Sequence, residues 1–129
     1  MKTSRGLILA AVLAASAWNL VLLGSAVFNA HWVLTRVSGG QYHSLPIGVR
    51  IVNFGFAVLT VWVMLFAWRI WKSNGARFGG DARWAQIVVA LYAASTVINA
   101  ISKSPEERWN VIPAMIVAGG FLILRRPVD

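Results

Sequence analysis

The fold is decided by residues 44–72, SLPIGVRIVNFGFAVLTVWVMLFAWRIWK. Between residues 51 and 68 only Asn53 and Thr60 are strongly polar. A helix of this length crosses a hydrocarbon core of about 30 Å. Tryptophans and basic residues follow at 68–72, as is typical of a membrane interface. The stretch therefore predicts one long membrane-crossing helix, with Ser44 as its N-cap.

A stripe of polar and small residues runs along this predicted helix. Its members recur at spacings of three and four and so share one face: Arg50, Asn53, Ala57, Thr60 and Met64. In an otherwise apolar helix such a stripe should face protein and not lipid. The stripe therefore predicts a helical bundle.

Composition agrees with a membrane protein. The chain has 129 residues, 58% of them hydrophobic, and a mean hydropathy of +0.67, which is too apolar for an ordinary soluble domain. Its net charge of +8 is compatible with nucleic-acid binding, but the basic residues flank apolar runs and do not form one patch. We therefore expect the lipid bilayer as partner and no nucleic acid. The absence of cysteine excludes disulfides, thiolate metal sites and iron–sulfur ligation.

Three further apolar segments complete the predicted architecture. Residues 104–107 have the pattern of a capping box, with proline at the first helical position. Pro113 should kink the helix that follows. We predict an all-α fold, a four-span antiparallel transmembrane helical bundle in a single domain, 1–129. The predicted spans are about 7–28, 45–72, 84–101 and 105–124.

The distribution of charge predicts the orientation. Eight of the 12 lysines and arginines fall on the side that holds both termini and the second loop. By the positive-inside rule both termini should be cytoplasmic, in a bacterial cytoplasmic membrane. Residues 15–17 imitate a signal-peptide cleavage site, but the apolar run continues well past them, so we expect the first helix to be retained.

Four polar residues form a candidate cluster near the outer ends of the spans: Asn29, Arg50, Asn53 and Asn99. Asparagine inside a membrane needs partners, and hydrogen bonds between helices are its usual use. A polar pocket for a ligand is the alternative. We expect Asn53 and Asn99 to approach each other across a contact between the second and third helices. A deeper polar layer is predicted at Asn19, Thr60 and Tyr92.

No catalytic, metal or cofactor site is expected. Glu106 and Glu107 lie at the outer end of the fourth predicted span, and no span carries Asp or Glu in its interior, so a proton-coupled exporter of the small multidrug type would lack its essential acid. His31 and His43 flank a Gly-Gly turn without helical spacing or a nearby carboxylate, which favours structural roles at the interface. No hydrolase, protease, P-loop or dinucleotide motif occurs, so we expect a protein that is not an enzyme.

Residues 99–113, NAISKSPEERWNVIP, resemble the last hairpin of small four-span bacterial membrane proteins, mostly actinobacterial, that have no assigned function. The resemblance implies a four-helix membrane fold and nothing about activity.

Two functions remain as hypotheses. The first is a non-enzymatic accessory or assembly subunit packed against a larger membrane complex, for which we expect a membrane-protein partner, with a homo-oligomer as the alternative. Abundant alanine and seven tryptophans suit such packing. The alternative is a small-molecule binding or transport protein with an outward-facing polar pocket. Because transporters usually place ionisable groups near the midplane, and none occurs here, the sequence favours the accessory subunit.

Overall fold

The computed structural model describes residues 2–129, and within that range the chain is all-helical, without a strand. The predicted all-α class is thus confirmed. The helices are α1 (Lys2–Val27), α2 (Ile47–Lys72), α3 (Asp81–Ala100), α4 (Pro105–Arg108) and α5 (Val111–Leu124). Two short 3-10 turns, His31–Val33 and Ser38–Gly40, lie between α1 and α2.

Three helical segments are long and apolar enough to cross a membrane. They are α1, α2 and the combined segment Pro105–Leu124, which α4 and α5 form together. α3 has 20 residues but is less apolar than these three. The structure therefore supports a membrane protein with three candidate spans.

The ends of two helices differ from the predicted ones. α3 begins at Asp81, because a carboxylate at the first helical position complements the helix dipole there. The prediction that Ser44 caps α2 is wrong, since Pro46 occupies the N-cap position. The Ser44 hydroxyl instead accepts a hydrogen bond from Asn29 Nδ2 at 2.9 Å, which holds it in the preceding turn.

The last helix is broken before Pro113. Proline has no N–H to donate to the carbonyl four residues earlier, and its ring crowds that carbonyl, which belongs to Trp109. The chain forms turns at Trp109 and Asn110 and resumes as α5. Ser104 is the N-cap of α4 as predicted, and its Oγ accepts a hydrogen bond from the Glu107 N–H at 3.3 Å.

The order of helix packing differs from the order along the chain. α1 packs against both α2 and α5, and α5 packs against α3, whereas α2 and α3 do not pack along their length. The centre of the core is fully buried and comes from all four long helices: Val12, Val63, Ile70, Val88, Val117 and Phe121.

Both termini lie at one end of the molecule, which we call the terminal end. Arg5 on α1 donates hydrogen bonds to three carbonyls at the end of α5, the shortest being 2.7 Å to Leu124. The loop between α2 and α3 joins them, since the Ala76 N–H bonds the Arg125 carbonyl at 3.0 Å and the Val128 N–H bonds the Asn74 carbonyl at 2.9 Å.

The opposite end, which we call the loop end, joins the α1–α2 and α3–α4 connections. The Gly39 N–H donates to the Glu107 carboxylate at 3.0 Å, and the Ser104 hydroxyl donates to the Thr35 carbonyl. At this end α2 and α3 are connected mainly through α1 and α5, which pack against them and against each other.

Candidate functional site

α2 and α3 meet near the terminal end. Arg69 forms an ion pair with Asp81, and the rings of Trp62 and Trp84 pack edge to face with centroids 5.8 Å apart. Further toward the loop end, the side chain of Tyr92 interacts with the Thr60 hydroxyl. Beyond this point the two helices form the walls of a cavity.

This cavity, which we call the α2–α3 cleft, has a volume of about 770 Å³. Its size lies in the range of small-molecule pockets, about 300–1,000 Å³. α1 and α5 contribute to its floor through Leu22 and Ala114, and the α1–α2 connection borders it at the loop end. Apolar and polar residues both line it, and the polar ones come from α1, α2, α3, α4 and the connections at the loop end.

Asn53 and Asn99 line the cleft from α2 and α3 respectively. Asn53 is 8% exposed, and its Nδ2 donates to the Val49 carbonyl of its own helix at 2.8 Å. Asn99 Nδ2 likewise donates a hydrogen bond to the Ser95 carbonyl of its own helix at 2.8 Å. The two amides do not bond each other, and neither Oδ1 accepts a hydrogen bond from residues 2–129. A molecule in the cleft would therefore meet two free acceptors.

The three deeper residues line the same cleft. Thr60 donates to the Phe56 carbonyl at 2.8 Å and also contacts Tyr92. Asn19 projects from α1, and its amide forms no hydrogen bond with the described part of the chain. Five of the seven predicted polar residues therefore lie on one cavity: Asn19, Asn53, Thr60, Tyr92 and Asn99.

The other two predicted residues close the end of α1 and do not line the cleft. Asn29 has a left-handed backbone with φ 56°, and its Oδ1 accepts from the Leu45 N–H at 2.8 Å. Arg50 donates through Nε to the Val27 carbonyl at 2.7 Å, where the last carbonyls of α1 lack helical partners. The structure thus divides the predicted four-residue cluster into two pairs with different surroundings.

Three residues at the loop end of the cleft were not part of the predicted cluster: Arg36, Glu107 and Asn110. The Arg36 side chain is half-buried and forms no hydrogen bond or ion pair within residues 2–129. Glu107 does not complete the predicted capping box, because its Oε2 accepts from Gly39 N–H and the Ser102 hydroxyl. Glu107 and Asn110 are three positions apart within the predicted helix 105–124, which was the available signal that both face one side, although Asn110 lies in the turn between α4 and α5 in the structure.

A second cavity of about 740 Å³ lies at the terminal end, beside the Arg69–Asp81 ion pair. Trp62, Phe66 and Trp84 form much of its wall. Asp81 is 3% exposed, and its Oδ2 is buried without a hydrogen-bond partner. Since Arg69 already pairs with the other carboxylate oxygen, we assign this ion pair a role in joining α2 to α3.

No family model, no curated protein and no solved structure matches this chain.

Proposed function

We propose that this chain is a four-span protein of a bacterial cytoplasmic membrane that binds one lipid-like amphiphile in the α2–α3 cleft. The observation that carries the proposal is the cleft itself, about 770 Å³, in which Asn19, Asn53, Thr60, Tyr92 and Asn99 are among the polar side chains that lie between apolar walls. Amide and hydroxyl groups in a low-dielectric medium favour any occupant that hydrogen-bonds to them. The proposal contains no chemical step and treats the protein as a binding protein, not as an enzyme.

The fourth crossing in this proposal is α3. It begins at the terminal end, where Asp81 pairs with Arg69, and leads to the loop end, where Arg108 donates to the Ser102 carbonyl at 2.7 Å. If its neighbours α2 and Pro105–Leu124 cross the bilayer, α3 has to run the same distance. Its lower hydropathy is compatible with a helix that borders a polar cleft.

The proposed orientation places the terminal end in the cytoplasm. Eight of the 12 lysines and arginines flank the helices there, as the positive-inside rule requires. The cleft then lies in the outer half of the membrane.

The occupant is proposed to be lipid-like because of the cleft's rim. Val52, Phe56 and Ile98 line the cleft and are exposed on the sides of α2 and α3. In a bilayer such an opening faces acyl chains and not water. An acyl chain fits the apolar walls, and the free asparagine oxygens suit hydroxyl or amide donors of an amphiphile.

The experiment is photolabelling in nanodiscs that contain phosphatidylethanolamine and phosphatidylglycerol with a trace of each carrying a diazirine in its acyl chain. We expect saturable adducts on Phe56, Leu91 and Ile98. Ala94→Trp should fill the cleft and remove them, because Ala94 lines it. Ala93→Trp is the matched control, since Ala93 is exposed on α3 and does not line the cleft. Non-saturable adducts spread over exposed α2 residues, unchanged in Ala94→Trp, would contradict the proposal.

The accessory or assembly subunit is the second candidate. Gly48 and Gly55 on α2 have open space around them, which permits close approach of another transmembrane helix. Purification in gentle detergent tests it: a stoichiometric membrane-protein partner, or a homo-oligomer, lost on Gly55→Leu supports this function. A monomer whose behaviour is the same in Gly55→Leu argues against it.

A further inference from the structure

The loop end of the α2–α3 cleft carries one cation and one acid that do not pair with each other. Arg36 and Glu107 both line the cleft. The ion pairs within residues 2–129 are Arg69–Asp81 and Arg77–Asp129, so neither Arg36 nor Glu107 takes part in one. Both residues are half-buried. Two opposite charges therefore border the same cavity, each without a charged partner.

The two charges are held by different means. The backbone of Arg36 is fixed by Asn110, whose Nδ2 reaches the Arg36 carbonyl at 3.4 Å. The guanidinium itself forms no hydrogen bond with the described residues. The Glu107 carboxylate is anchored through Oε2 by the Gly39 N–H and the Ser102 hydroxyl, while its other oxygen accepts no hydrogen bond. One guanidinium and one carboxylate oxygen thus remain open to a ligand.

Charge complementarity selects the headgroup that fits such a site. A half-buried charge keeps only part of its hydration, so an opposite charge in a ligand stabilises it. A purely anionic headgroup would satisfy Arg36 but would be repelled by Glu107. A headgroup with an anion and a cation satisfies both. The carboxylate of Glu107 accepts hydrogen bonds, so a primary ammonium with N–H donors suits it better than a quaternary ammonium, which has none.

On the basis of the proposed function, we infer that the occupant is a zwitterionic phospholipid with a primary ammonium, of the phosphatidylethanolamine type. Its phosphate binds Arg36, its ammonium binds Glu107, and an acyl chain runs between Asn53 and Asn99 into the cleft.

The test compares three photoreactive lipids with the same diazirine chain and different heads: ethanolamine, glycerol and choline. Each is titrated into nanodiscs of an unreactive phosphatidylglycerol background. We expect adducts on Ile98 to form with phosphatidylethanolamine at roughly tenfold lower probe concentration than with the other two, the scale of one charge-assisted hydrogen bond. Soluble phosphoethanolamine at millimolar concentration should not compete, because the chain contributes to binding.

Two variants test the contributions of Arg36 and Glu107 one at a time. Glu107→Gln keeps an oxygen for the Gly39 N–H and removes the negative charge, so the advantage of phosphatidylethanolamine over phosphatidylglycerol should disappear while adducts with phosphatidylglycerol persist. Arg36→Gln should weaken labelling by both lipids. Lys103→Gln is the control, since Lys103 is exposed at the same end and does not line the cleft. Thermal unfolding in the same nanodiscs shows whether each variant is folded.

The outcomes distinguish this inference from the proposed function. Equal labelling of Ile98 by all three lipids, unchanged in a folded Glu107→Gln variant, would overturn the headgroup assignment and leave the cleft as a lipid site. Absence of saturable cleft adducts with every headgroup would overturn both. Competition by soluble phosphoethanolamine would overturn the lipid and assign the site to a free polar molecule.

Discussion

Gly120 on α5 lies directly against Val12 on α1, and a β-carbon at Gly120 would overlap Val12 Cγ2. Val12 is fully buried, so it has no free space into which to move. The two helices pack closely at this point, which brings the α1–α2 pair together with the α3–α5 pair.

Gly120→Ala should therefore destabilise the fold by about 1–3 kcal/mol, the usual cost of overpacking a filled core. Gly119→Ala is the matched control, because a β-carbon there meets nothing within 4 Å and alanine favours the helix. Equilibrium unfolding in a mixed detergent series measures both. Adding Val12→Ala should restore much of the loss in Gly120→Ala. Equal stabilities of the two single variants would show that the close contact does not exist.

Arg5 should stabilise the protein through its hydrogen bonds to carbonyls at the end of α5. It is 8% exposed and donates to the carbonyls of Leu124 and Arg126, and it shares the Ile123 carbonyl with the Arg126 N–H. Arg5→Gln should cost roughly 1.5–3 kcal/mol, the range for hydrogen bonds to a charged group.

Lys2→Gln is the control for Arg5→Gln, since Lys2 is exposed on the same helix. Unfolding of the two variants under identical conditions makes the comparison. Arg5→Lys should recover only part of the loss, because an ammonium lacks the planar fork that reaches several carbonyls at once. An Arg5→Gln variant as stable as Lys2→Gln would refute this role.

The Arg69–Asp81 ion pair should show coupling in a double-mutant cycle. Arg69→Gln leaves the buried Asp81 carboxylate without its charged partner, and it should destabilise more than the double variant with Asp81→Asn. Because the Arg69 side chain is 57% exposed, the loss should stay below the about 3–5 kcal/mol of a fully buried pair. Additive single and double losses in unfolding experiments would mean that the pair does not connect α2 to α3.

Cysteine labelling tests the proposed topology, and the native chain contributes no background cysteine. Gln41→Cys and Lys103→Cys, both exposed at the loop end, should react with an impermeant maleimide added to intact cells. Phe78→Cys, exposed in the α2–α3 loop, should react only after permeabilisation. Labelling of Phe78→Cys from outside would reverse or refute the four-span arrangement.

The long helices could be predicted from the sequence because composition and end signals act locally. The apolar run of α2 and the Ser104 N-cap each depend on residues within a few positions, and the structure has both. Ser44 failed as an N-cap because a residue 15 positions away, Asn29, engages its hydroxyl. A contact of that separation leaves no periodic trace in the sequence.

The composition of the cleft was only partly predictable. Asn53 and Asn99 both line the α2–α3 cleft, but the expected approach across a packed helix contact does not occur, because depth along the helices says nothing about rotation or spacing between them. Asn29 matched them in depth yet adopts a left-handed backbone that turns its amide toward Leu45. That α2 and α3 do not pack along their length follows from their packing against other helices, which depends on contacts such as Gly120 against Val12.

The most direct test of the central claim is an NMR measurement of nuclear Overhauser effects between lipid chains and cleft side chains, with the protein in nanodiscs of protonated lipid. We predict effects between acyl-chain methylenes and the side-chain amide protons of both Asn53 and Asn99, of similar strength to those at exposed Val61. Effects at Val61 together with only water contacts at Asn53 and Asn99, or with none, would contradict a lipid-occupied cleft.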